Sequence, residues 1–246
     1  QRFGASQPKL VETVELMESN IEEPMSLDEL AQISSAYEEA SKTDGSPILM
    51  VGFNRRFSPH IRKIEQLLAG LTGPKSFMIT VNAGEIPSDH WTQDWAVGGG
   101  RIIGEACHFI DLLRHLAASP ITRHQVTYMR AAPRSLDMRD IVTITLSFVD
   151  GSMGTIHYFA NGNKSFPKER LEVFSGGRIF QLDNFRRLRG FGWPGFSKMN
   201  LRRQDKGQKA CVAAFLDAIS EGGQAPIPIS EIEEVCRVTM EIANRK

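Results

Sequence analysis

The sequence has no net charge, few cysteines and no long apolar run. Over 246 residues, Lys+Arg and Asp+Glu each total 29. That balance argues against a general nucleic-acid binder. The three cysteines, Cys107, Cys211 and Cys236, are odd in number and show no CxxC spacing, which argues against a disulfide framework or a zinc site. No apolar stretch approaches the ~18 residues needed to span a bilayer. The N-terminus has neither a basic n-region nor an apolar h-region, so a reducing, cytoplasmic setting is expected. The sequence opens on Gln1 rather than Met and is expected to be trimmed. There is no Walker loop, GxSxG or HExxH, and no GxGxxG opening a helix after a first strand. Gly98–Gly100 follows a polar loop and lacks that spacing.

The composition that remains is that of an ordinary folded chain, 41% apolar and 24% charged. Charge is unevenly spread. Residues 1–45 hold ten acids against three bases, and residues 161–210 hold twelve bases against four acids. Such patches can steer a charged ligand or form solvated faces. Leu10, Val14 and Met17 fall at helical spacing after Pro8. Ser26 and Glu29 read as a capping box opening a helix to about Lys42. Ile48–Phe53 reads as a short, buried parallel strand, and a second helix runs from about Pro59 to Ala69. Little before Ile48 supplies that strand with parallel neighbours. Either residues 1–20 cover it, or the missing half comes from a partner or a longer parent chain.

Beyond Gly73-Pro74 the pattern changes. Lys75–Ala83 reads as a strand, 84–100 as a long loop, and Arg101–Ala117 as the clearest helix. Strands then follow at 121–131, 140–149, 153–160, 170–174, 179–182 and 186–191. Asp150-Gly151 and Gly176-Gly177 mark hairpins, and helices over about 206–220 and 230–244 close the chain. In Val142–Phe148 the even positions are large and apolar, whereas Thr143, Thr145 and Ser147 are small and polar. One face therefore packs on helices, and the other suits water or another sheet. These features predict an α+β fold over 74–246: an open, largely antiparallel sheet with helices on one face.

Three segments together resemble one family. They are Glu22-Glu-Pro-Met-Ser-Leu27 with Val51–Pro59, Gly98–Asp111, and Gly154–Arg170. They resemble the Gfo/Idh/MocA family of nicotinamide-dependent sugar oxidoreductases, with the likeness running over about 21–246. Members from bacterial polysaccharide and nucleotide-sugar pathways are the most similar. The resemblance implies a truncated remnant of a Rossmann α/β domain over 1–73, followed by a substrate and oligomerisation domain over 74–246. It also implies NAD or NADP as cofactor, touched at Glu23 and Pro24 and not bound tightly by this chain alone. The family's chemistry is hydride transfer between a sugar carbon and nicotinamide. A Lys in Glu-Lys-Pro and a His handle the proton and the developing oxyanion.

Carried over residue by residue, the His is His108 and the Lys falls on Glu23. A carboxylate cannot stabilise an alkoxide as an ammonium does. An Asp often found four residues before the His falls on Gly104. Glu105 stands beside it, and on a regular helix it points elsewhere. Asp111 matches the acid after the His and lies three residues on, placed to orient the imidazole. Arg55 and Arg56 either reach a cofactor or substrate phosphate or are solvated helix-start arginines. His90 and Trp91 either line a sugar pocket or are exposed loop residues. Lys164 and Lys168 contact a phosphate or carboxylate, or are surface lysines. His157 reads as structural. The basic stretch from Arg186 to Arg203 reads as a loop packing on a subunit or a nucleotide-sugar. No metal site is expected.

The expected function is therefore the substrate-binding part of an NAD(P)-dependent sugar or nucleotide-sugar oxidoreductase, inactive alone. The alternative is a non-catalytic binding or dimerisation module derived from that family. Expected partners are a small-molecule sugar or nucleotide-sugar and a second copy docked on the open sheet face, with no nucleic acid and no membrane.

Overall fold

The computed structural model describes residues 26–42, 47–86, 100–129 and 140–244. Helix α1 (Leu27–Ala40) starts where the capping box places it. Ser26 Oγ accepts the Glu29 N–H at 3.2 Å, and the Glu29 carboxylate accepts the Ser26 N–H at 2.7 Å. The apolar run at 48–53 forms no strand. It passes through two tight turns, the Phe53 N–H donating to the Val51 carbonyl and the Asn54 N–H to the Gly52 carbonyl, into a 3-10 turn, Asn54–Phe57, and buries Phe53 in the core. A run of six apolar residues fits either a strand or a packed loop, and packing of Phe53 decides it here. The paradox of a lone parallel strand thus disappears. Ser58 caps helix α2 (Pro59–Leu68), accepting from the Ile61 N–H, with Pro59 at the first helical position.

Eight strands form one sheet: β1 (Ser76–Asn82), β2 (Ile121–Tyr128), β3 (Ile141–Phe148), β4 (Met153–Phe159), β5 (Glu169–Ser175), β6 (Arg178–Asp183), β7 (Arg187–Phe191) and β8 (Lys198–Asn200). Their order is β2-β3-β4-β1-β5-β6-β7-β8. Among the described residues only the β1–β4 pairing is parallel, so the expected open, mostly antiparallel sheet is present. Both hairpin signals hold. Gly151 turns β3 into β4 at φ +82, and Gly176 and Gly177 turn β5 into β6 at φ +54 and +73. The left-handed values explain the glycines.

Alternation sorts the two faces. Phe77, Ile79, Val81, Ile144, Leu146, Ile156, Leu171, Val173, Phe180 and Leu182 point to the buried side. There they meet α2, helix α3 (Cys107–Ala117) and helix α5 (Ile229–Ala243), whose apolar stripes complete the core. Gly154 is where α3 comes closest: a Cβ there would sit 2.6 Å from a Leu113 methyl. The opposite face carries Thr143, Thr145, Ser147, His157, Glu172 and Gln181. A 3.2 Å Thr143–His157 contact and an Arg170–Asp183 ion pair at 2.8 Å cross it. Helix α4 (Gln208–Glu221) follows the sheet and buries only Cys211.

Candidate functional site

The site lies at one end of the three central strands, where β1 and β4 finish and β5 begins. Helix α3 is entered through a π turn, Ile102–Ala106, in which the Cys107 N–H reaches back to the Ile102 carbonyl. Such wide turns are frequent at functional positions. His108 is in the first turn of α3, its ring edge-on to Phe53 at 5.9 Å between centroids. Its Nδ1 is buried with no hydrogen-bond partner. Burial first, then the Arg55 guanidinium, holds the His108 pKa down from the usual 6.5 to about 4. At neutral pH the ring is uncharged and has acceptor capacity free.

Two charge clusters face this imidazole. In the first, Glu169 opens β5 on the buried face. It accepts Arg55 Nε at 3.2 Å, Arg55 Nη2 at 3.1 Å and Lys206 Nζ at 2.5 Å. Burial opposes its charge, but these two cations outweigh burial and hold its carboxyl below the ordinary range. Lys206 is fixed from behind. Asn54 Nδ2 donates to the Lys206 carbonyl at 2.7 Å. Gly207, at φ +86, presses so tightly on the 3-10 turn that a Cβ would lie 2.4 Å from the Asn54 oxygen.

The second cluster is built on Glu105. Its carboxylate accepts Lys168 Nζ and Tyr158 Oη, each at 2.5 Å, and lies 3.6 Å from Arg101. Burial opposes this charge too, but the Lys168 and Tyr158 hydrogen bonds outweigh it and hold Glu105 below the carboxylate norm. Arg101 bonds the Gly84 and Ala83 carbonyls at 2.7 and 3.3 Å, tying the end of β1 to the π turn. Lys164 rests against Gly84 in the same loop as Lys168. Asn82 brackets that loop. Its Nδ2 donates to the Asn163 and Phe166 carbonyls, and its N–H to the Lys168 carbonyl. Gly162 is required there, because a Cβ would overlap Asn82 Oδ1 at 1.9 Å.

The candidate residues therefore separate. His108, Lys164 and Lys168 gather at the strand ends. Arg55 is present as well, but as a buried partner of Glu169 with its guanidinium 4.5 Å over the Phe109 ring, not as a free phosphate ligand. Arg56 and Asp111 correct the sequence reading. Both Asp111 oxygens accept from Arg56, and Arg56 also reaches Glu231 at 2.9 Å. Burial pushes Asp111 up to about 6 against the pull of Arg56, which still leaves it ionised at neutral pH. Asp111 is thus the counter-ion of a buried arginine and does not orient His108. Arg56 is a structural partner, because a buried guanidinium needs a carboxylate. Glu23, Pro24, His90 and Trp91 lie outside the described residues.

Glu169, Lys206, Tyr158 and Arg101 join the site without having been singled out. Lys-Glu at 168–169 lies in the family-like segment, whereas Lys206 lies beyond the basic stretch Arg186–Arg203 and in no motif. Among the described residues no group of three or more His, Cys, Asp or Glu is placed to hold a metal. No helix there is long and apolar enough to cross a membrane. The fit to a nicotinamide dinucleotide is negative among those residues. The sheet has one parallel pairing only, and no glycine-rich turn leads from a strand into a phosphate-binding helix N-terminus.

Comparison with known proteins agrees with this architecture. Residues 67–176 match the family model described as the GFO/IDH/MocA C-terminal domain. The uncharacterized oxidoreductase YrbE of Bacillus subtilis is 30% identical over 169 residues, covering 65% of this chain and 46% of YrbE. Myo-inositol 2-dehydrogenase of Thermotoga maritima is 28% identical over 170 residues, covering 67% of this chain and 49% of that enzyme. The chain spans about half the length of these curated relatives. UDP-N-acetylglucosamine 3-dehydrogenase GnnA from Acidithiobacillus ferrooxidans superposes with a TM-score of 0.70 at 17% identity, over 88% of this chain and 66% of GnnA. That likeness concerns the fold.

Proposed function

Because this chain carries the C-terminal domain of the Gfo/Idh/MocA oxidoreductase family, we propose that it forms the substrate side of an NAD(P)-dependent sugar or nucleotide-sugar oxidoreductase. The observation that carries this reading is a neutral His108 facing two lysine–carboxylate pairs, Lys168–Glu105 and Lys206–Glu169. A neutral imidazole accepts a hydrogen bond, and then a proton, from a hydroxyl, while ammonium groups bind neighbouring oxygens. Among the described residues, the cations Arg55, Arg101, Lys168 and Lys206 pair with the carboxylates of Glu105, Glu169 and Asp140, and Lys164 stands in the same loop as Lys168, so positive groups outnumber negative ones. A partly buried cationic surplus favours a ligand bearing an anionic group, such as a nucleotide-sugar, over a neutral sugar. Nicotinamide supplies the redox chemistry in the family. The role assigned to this chain is confined to binding the sugar and handling its hydroxyl proton.

Calorimetry tests the reading. The chain should bind UDP-N-acetylglucosamine more tightly than myo-inositol, and His108→Ala should weaken the binding by about tenfold. Failure of both ligands to bind would remove the proposal. The second reading, a dimerisation module, draws on the open sheet face, where Met78, Met153, Phe174 and Phe191 are exposed. Dimerisation through that face predicts that Met153→Asp yields a monomer in light scattering, whereas a monomeric parent chain counts against it. We also propose a cytoplasmic setting, in keeping with three free cysteines.

A further inference from the structure

The residue aligned with the family's acid before the histidine is Gly104, which has no side chain, yet the neighbouring carboxylate is not idle. Glu105 lies three residues before His108, in the π turn that leads into α3, and its charge acts on the His108 ring. Its two oxygens are divided. Oε2 takes the buried Tyr158 hydroxyl, which fixes the carboxylate to β4, and Oε1 takes Lys168 Nζ. Arg101 supports it from one turn earlier while gripping the end of β1. Lys168 itself is 41% exposed at the side chain, so without this partner its ammonium would range freely over the surface. Its backbone is already pinned by the Asn82 N–H. The remaining freedom is in the side chain, and Glu105 removes it.

We propose that Glu105 is a positioning residue of the sugar site, holding the Lys168 ammonium beside the Tyr158 hydroxyl, where β1 and β4 finish. The inference rests on the sugar-site reading above. An ammonium carries three N–H donors and Glu105 takes one, which leaves two for ligand oxygens. Substrate binding then does not have to pay the entropy of ordering a lysine side chain. Glu105 acts through Lys168 and does not itself touch the substrate. Besides Glu105 itself, the charges acting on His108 are Arg55 from the 3-10 turn, Glu169 from β5 and Lys206 from the loop before α4. None of these binds Lys168, so the clamp is separable from them.

The experiment pairs two measurements on the intact chain. Side-chain NMR relaxation of Lys168 reports its order. Calorimetry with UDP-N-acetylglucosamine and myo-inositol reports affinity. In the parent chain Lys168 should be ordered. Glu105→Gln should release it to surface-lysine mobility and weaken binding by about tenfold or more, with the circular dichroism spectrum unchanged. Glu105→Asp, which keeps the charge, should recover part of both effects. Equal Lys168 mobility in parent and Glu105→Gln overturns the proposal. So does a released Lys168 with unchanged affinity. If neither ligand binds the parent chain while Lys168 is ordered, the sugar-site reading fails, and the positioning role fails with it.

Discussion

Replacing His108 by Gln tests the physical state of the site without reference to any ligand. The imidazole titrates at about 4 in the folded chain against 6.5 when unperturbed. As pH falls through that window the unfolded chain binds the proton first, so stability is lost between pH 6.5 and 4 and is unaffected above it. At 1.36 kcal/mol per unit, the full loss is about 3 kcal/mol. Gln cannot take up that proton. The stability difference between parent and variant should therefore change by about 3 kcal/mol between pH 7.5 and 4, with the parent losing ground. Asp111 titrates inside the same window with the opposite sign, since its folded value is raised to about 6. Asp111 is common to both proteins and cancels in the difference. Glu105 and Glu169 are held below their ordinary values, so their contribution is lost only at lower pH. Urea denaturation followed by circular dichroism at several pH values measures the difference. Parallel pH curves for parent and variant would refute a buried, neutral His108.

Two further outcomes follow from packing. Gly207→Ala places a Cβ 2.4 Å from the Asn54 oxygen and 2.5 Å from the Ser58 nitrogen, at φ +86. Thermal denaturation should show a loss of about 2–4 kcal/mol, and a loss under 1 kcal/mol would contradict the clamp on Lys206. Asp111→Ala leaves Arg56 buried with Glu231 alone. It should cost about 3–5 kcal/mol while leaving the His108 titration by NMR within a few tenths of a unit. A large His108 shift in that variant would restore the orienting role that the sequence suggested.

Local chemistry in the sequence carried much of the fold. Ser26 with Glu29, Asp150-Gly151, Gly176-Gly177 and the alternation through Val142–Phe148 all specify their structure within a few residues, and each is present. What was not legible depends on partners distant in the chain. The run at 48–53 has strand composition, but among the described residues no strand pairs with it. The three-residue strand β8 is too short to show a period. β1 inserts between β4 and β5, a choice made by packing and not by neighbouring sequence. At the candidate site, the resemblance pointed to His108, and Lys164 and Lys168 were read as loop amines suited to a phosphate or carboxylate. It did not reveal that Arg55 and Arg56 are buried against Glu169 and Asp111, residues 114 and 55 positions away. Paired arginines look alike in sequence whether solvated or buried. Lys206 entered only as one of the twelve bases counted over 161–210, and its bond to Glu169 shows that it turns inward.

The most direct measurement is a titration of the isotope-labelled chain with UDP-N-acetylglucosamine, followed through backbone amide and imidazole resonances. Saturable shifts are expected, concentrated at His108, Lys168, Lys206 and the loop from Gly162 to Lys168. Shifts confined to the open sheet face, or none at millimolar ligand, would contradict it.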